Sequence, residues 1–129
     1  MTMPNRGEFL KDRAERFLRN ARELFAREEY DLAAFNLEQS SQLFLKHALW
    51  KKLGDFEKVR RISLLLADLQ EVSKEKPTVE AFIAAHKEVI VNLEMAYIES
   101  RYLPAQFFKE QVQRMINFVE QLKSLLATP

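Results

Sequence analysis

A chain of 129 residues, 47% of them hydrophobic, is long enough for one domain with a core of its own. It has no cysteine, which excludes a disulfide scaffold, a thiolate metal site and a cysteine nucleophile, and suits a reducing cytoplasm. Acids and bases nearly cancel at a net charge of +1, so any attraction for nucleic acid has to come from a local patch.

Two glycines and four prolines interrupt the chain, which leaves room for long helices. The first residues, Met1 to Glu8, contain no apolar run, so no signal peptide is expected. No apolar stretch approaches the ~20 residues that span a bilayer, so no membrane partner is expected either.

In chain order, Leu10, Ala14, Phe17, Ala21 and Leu24 recur at helical spacing, with Leu18 and Phe25 widening the stripe. They predict a helix over about 8–28. Asp31 is placed to cap a second helix, which runs to Leu53 and stops at Gly54. Phe56, Val59, Ile62, Leu65, Leu66, Leu69 and Val72 predict a third, ending before Lys76-Pro77. Thr78 caps a fourth, with Phe82, Ile83, Val89, Ile90, Leu93 and Tyr97 inward, and Pro104 breaks it. Phe108, Val112, Met115, Val119, Leu122 and Leu126 share one face of a fifth. Short connections favour antiparallel neighbours. The expectation is one all-α domain over 1–129, an up-and-down antiparallel bundle of four to five helices.

The second helix differs from the others. Leu32, Phe35, Leu37, Leu43, Leu45, Leu49, Trp50 and Leu53 surround it, so it is buried on more than one side. It lies at the centre of the bundle or also faces a partner subunit, and a homodimer is expected on that ground. It also carries polar residues. Asn36, Ser40 and His47 form one line, and Gln39, Gln42 and Lys46 form the adjacent one. Two readings stand: a hydrogen-bonded seam that sets helix register, or a cleft that binds nucleotide or RNA.

Arg101 and Tyr102 follow Tyr97 at the end of the fourth helix. The helix dipole explains a cation there, and a phosphate-binding arginine flanked by stacking tyrosines is the other reading. His86 falls on the apolar stripe and reads as a satisfied core or interface histidine. It is fifteen residues before Arg101, roughly 22 Å along a helix, too far to act with it. His47 is the one candidate for catalysis, because parallel second and fourth helices would bring it to the pole of Arg101. The first helix mixes Arg6, Lys11, Arg13, Arg16, Arg19 and Arg22 with Glu8, Asp12 and Glu15, a solvated face or a phosphate-tracking patch. No metal-ligand spacing, glycine-rich phosphate loop or nucleophile elbow is present, and no cofactor is expected.

The segments Phe17 to Ala21, Glu29 to Phe35, Gln39 to Gln42, Leu45-Lys46 and Tyr97 to Pro104 together resemble HEPN domains, the higher-eukaryote-and-prokaryote nucleotide-binding family, over about 8–105. The resemblance implies a dimerising helical bundle with a cleft at the subunit interface. Many relatives are metal-independent ribonucleases that pair an arginine with a histidine four to six residues later. Others bind nucleotides or partner a minimal nucleotidyltransferase as a toxin–antitoxin pair. This chain departs from that pattern. Positions 106–108 are Gln-Phe-Phe, so the catalytic histidine is absent. Leu103 separates Tyr102 from Pro104. Gln42 stands where an acid is common, which removes a charge partner for Lys46.

The expected function is a homodimeric module that binds nucleotide or RNA through Arg101, Tyr102, Tyr97, Lys46 and Gln39 without cutting it. A protein partner of a nucleotidyltransferase is the alternative. A divergent ribonuclease working through His47 is the second.

Overall fold

The structure is a computed structural model that describes residues 6–55, 61–102 and 106–127, with the side chains of residues 6 and 99–102 not described. It contains α1 (Arg6–Ala26), α2 (Tyr30–Leu53), α3 (Ile62–Val72), α4 (Lys76–Ala85), α5 (Lys87–Tyr102) and α6 (Lys109–Leu126), and no strand among the described residues. None of these helices is long and apolar enough to cross a membrane.

α1 and α2 form the first antiparallel pair. The turn between them uses Glu28 at φ 60, with the Glu29 N–H donating to the Leu24 carbonyl at 2.9 Å. α2 starts at Tyr30, so Asp31 lies inside the first turn and favours the helix dipole without capping the end. At its other end Gly54 takes φ 77 and donates to the Trp50 carbonyl at 2.7 Å, the C-terminal stop that glycine permits. The core stripe of α1 is Leu10, Ala14, Leu18, Ala21 and Leu24. Phe17, expected within it, is half-buried and outside the core cluster, and Leu18 takes its place.

α4 and α5 correspond to the single fourth helix expected from sequence. They part at His86, whose φ −121 and ψ 21 are not helical. The His86 Nδ1 takes the Phe82 carbonyl at 2.7 Å, and the backbone N–H falls back on the Ile83 carbonyl at 3.2 Å. The side chain thus competes with the backbone for one acceptor, and the helix restarts one residue later. Pro77 lies in the first turn of α4, where no N–H is needed, so Thr78 is internal and does not cap. Phe108 is the residue before α6 and is 72% exposed, off the apolar face assigned to it; the Gln111 Oε1 accepts its N–H at 2.8 Å. Phe56 and Val59 of the expected third helix lie outside the described residues.

Side-chain pairs give the helix directions. Ser40 meets Ala14 and Asn36 meets Asn20, so α2 opposes α1. Lys123 reaches Glu15 and Glu120 reaches Arg22, so α6 opposes α1. His86 and Val89 meet the Gln121 and Asn117 region, so α4 and α5 oppose α6. The result is an up-down-up-down bundle of α1, α2, α4–α5 and α6. The shorter α3 lies along α2 in the same direction: Ser63 at its start bonds Glu94 in mid-α5, while Leu69 and Ser73 line one cleft with Ala48 and Lys52. At 11 residues it is roughly 16 Å long, too short to take a bundle position beside the 24-residue α2.

Two sequence arguments change as a result. α2 packs against α1, α3, α5 and α6, so most of its apolar surface is covered within one chain, with Leu32 and Leu53 left exposed, and a partner subunit is not required to explain the buried part. α5 runs opposite to α2, so the argument that placed His47 and Arg101 at one pole fails.

Candidate functional site

Glu38, Gln42 and Lys46 recur every four residues and share one line of α2. All three are buried, with Glu38 only 1% exposed. The Gln42 Nε2 donates to one Glu38 oxygen at 2.6 Å, and the Gln39 Nε2 donates to the other at 2.8 Å. Burial raises the Glu38 carboxyl from 4.5 to about 7; the two glutamine bonds and Lys46 pull it down, and Glu94 on α5 adds to the rise. Burial also lowers the Lys46 ammonium, and Glu38 opposes that shift. Glu94 Oε2 accepts the Ser63 N–H at 2.9 Å and its hydroxyl at 2.7 Å, which ties the start of α3 to α5.

The second polar line of α2 faces α1 and is a register seam. Asn20 Nδ2 donates to Asn36 Oδ1 at 3.0 Å, and Asn36 Nδ2 donates to the Leu32 carbonyl at 2.8 Å. The Ser40 hydroxyl donates to the Ala14 carbonyl at 2.9 Å. These bonds satisfy the buried groups of the seam, while the exposed Asn20 keeps its Oδ1 outside it.

His47 lies at the far end of that seam. Its ring is half-buried and stacks beside Trp50, with centroids 6.4 Å apart. Burial, then Lys51 and Lys11, lower its pKa, and Glu8 opposes them. Those partners belong to α2 and to the start of α1. Glu38 and Glu94 mark one level of the bundle. His47 is nine residues from it in one direction and Arg101 seven in the other, roughly 24 Å in all at 1.5 Å per residue. Within one chain they are at opposite poles.

The other predicted residues separate as follows. Gln39 bonds Glu38, and Lys46 feels the charge of Glu38 from further along the same line. Tyr97 is half-buried one turn beyond Glu94 on α5. Arg101 and Tyr102 close α5, and their side chains lie outside the described residues. His86 is satisfied as expected: Nδ1 bonds the Phe82 carbonyl, Nε2 bonds Gln121 at 2.6 Å, and Phe82 and Phe118 flank the ring.

Glu38 is the residue that sequence reading missed. It does what Gln42 cannot, because it supplies the carboxylate that acts on Lys46. The signal was available, since Glu38 begins the same four-residue line as Gln42 and Lys46. Glu94 had no such signal, because its partner Ser63 is 31 residues away.

A family model described as HEPN domain matches residues 8–127, nearly the whole chain. Comparison with curated proteins and with solved structures gives no match.

Proposed function

The chain belongs to the HEPN domain family, and on that premise we propose that it is a homodimeric module that binds a stretch of RNA along α2 and α5 without cutting it. The observation that carries this reading is the buried line of Glu38, Gln42 and Lys46, turned toward α5 at the level of Glu94. Buried ionisable groups with displaced proton affinity concentrate at functional sites. In this reading Glu38 orients the Gln39 and Gln42 amides, and Lys46 and Arg101 meet phosphates. Tyr97 and Tyr102 stack on bases. Lys46 and Arg101 are separated by roughly 22 Å of bundle length, more than a single nucleotide spans, which favours a strand of RNA over a mononucleotide.

Cleavage of RNA by its own 2′-hydroxyl needs a base within hydrogen-bond reach. Positions 106–108 offer no imidazole, and His47 is at the other pole of the chain. The dimer is supported by Val91, Met95 and Ile98, a stripe along α5 that is 54%, 43% and 51% exposed.

The test is incubation with labelled single-stranded RNA in chelator, read for both retardation and cleavage. Retardation without cleavage is expected. It should weaken with salt and fall about tenfold or more in Arg101→Ala. Cleavage lost in His47→Ala or Arg101→Ala would make the protein a ribonuclease. Absence of both retardation and cleavage would shift the reading to a protein partner such as a nucleotidyltransferase.

A further inference from the structure

One flank of α1 is not explained by packing. The core stripe of α1 faces α2, and the flank carrying Glu15 and Arg22 pairs with Lys123 and Glu120 of α6. The opposite flank carries Phe9, Arg13, Arg16, Phe17 and Asn20. There the α1–α2 edge forms an open groove of about 310 Å³ lined by Arg13, Arg16, Phe17, Asn20 and Asn36.

Each lining residue is held in a way that suits a ligand. Phe17 is half-buried but outside the hydrophobic core, so its ring is a wall of the groove and not a core contact. The Arg13 guanidinium sits 4.2 Å from the centroid of the exposed Phe9 ring, which holds a flexible cation in place without neutralising it. Among the described residues no carboxylate pairs with Arg13. Arg16 contacts Asp12 through Nε at 3.3 Å, an exposed pair on the helix surface of the kind that holds weakly in water.

The amides are fixed as well. The Leu32 carbonyl can only accept, so Asn36 presents Nδ2 to it and Oδ1 to Asn20. Asn20 therefore gives its Nδ2 to Asn36 and keeps its Oδ1 as an acceptor at the groove. A ring face, two guanidinium groups and an oriented amide oxygen are what a single-stranded nucleotide needs: stacking, phosphate neutralisation and an acceptor for a base N–H.

We infer that the groove between α1 and Asn36 takes one nucleotide of a single-stranded nucleic acid, with its base on Phe17 and its phosphate on Arg13 and Arg16. Asn20 Oδ1 accepts from the base edge. The inference rests on the α1 flank and needs no residue of α5. Asn36 and Gln39 are three residues apart, roughly 4.5 Å along α2, so the groove opens at the level where Gln39 meets Glu38.

The test measures fluorescence anisotropy of labelled oligouridylate and oligothymidylate of equal length with the full chain, across a salt series. Binding of either oligonucleotide is expected. Arg13→Ala with Arg16→Ala should weaken it about tenfold or more and lower the salt slope by about one to two. Phe17→Leu keeps an apolar side chain and should weaken binding about fivefold or more by removing the ring. Circular dichroism of each variant should match the parent. Loss in the double arginine variant with Arg101→Ala unaffected supports the groove and removes the α5 reading. Loss in Arg101→Ala with unchanged affinity and slope in the double variant overturns the groove and leaves the α5 reading standing. A parent that binds neither oligonucleotide overturns the groove outright. The tighter of the two oligonucleotides identifies the source of the strand.

Discussion

Glu38 is an acid held where acids ionise with difficulty. Its carboxyl binds a proton more tightly in the folded chain, at about 7, than at the ordinary 4.5. Between those values the folded state holds a proton that the unfolded state has released, so stability declines as pH rises through this window and levels off above it. At 1.36 kcal/mol per unit the full decline is about 3 kcal/mol. Glu38→Gln cannot ionise, and its amide can bond Gln39 and Gln42. Thermal unfolding from pH 4.5 to 8 should show a falling midpoint in the parent and a flatter profile in Glu38→Gln, which is the more stable protein at pH 8. Parallel profiles would mean that Glu38 ionises freely in the folded chain. His47 has the opposite sign, since a lowered imidazole pKa removes stability only as pH falls through it.

The close contact of α1 and α2 depends on a missing side chain. Gly7 lies in the first turn of α1 under the Trp50 ring, and a Cβ added there would overlap that ring. Helix propensity by itself favours alanine over glycine by about 1 kcal/mol. Overpacking costs about 1–3 kcal/mol and wins if the ring cannot move aside. Gly7→Ala should therefore lower the unfolding midpoint. It should also shift the emission of Trp50, the single tryptophan of the chain. Removing the ring with Trp50→Ala should turn the same substitution stabilising. Gly7→Ala stabilising in the parent would show that the ring yields freely. The α4–α5 break has a different origin, because there an added bond, from the His86 ring to the Phe82 carbonyl, interrupts the backbone ladder.

At the scale of the molecule, α1, α2, α4–α5 and α6 pack in up-down order, with α2 in contact with α1, α3, α5 and α6. The α5 stripe of Val91, Met95 and Ile98 stays outside this packing. If a second copy covers it, sedimentation equilibrium should give twice the 15.2 kDa chain mass. Met95→Glu should return the protein to one chain mass with its helix content intact, because Met95 is 43% exposed and makes no core. A parent already at 15.2 kDa would remove the dimer from the proposed function.

Much of this was legible before any tertiary structure. The period of the apolar residues determined an all-α chain, because that spacing suits a helix and no strand. Gly54 marked the end of α2, because a left-handed residue there favours glycine. Residues 17–46 and 97–104 carried the resemblance to the HEPN family that the match over 8–127 bears out. Other features depended on contacts distant in sequence. Phe17 and Leu18 fit the helical period equally well, and only the position of α2 selected Leu18 for the core. Glu38 reads as a surface acid until α5 covers it. The direction of α5, and with it the separation of His47 from Arg101, was set by α3 lying along α2. A helix period reports which face is buried, not which neighbour buries it or in which direction that neighbour runs; those follow only from how the helices fill the core together.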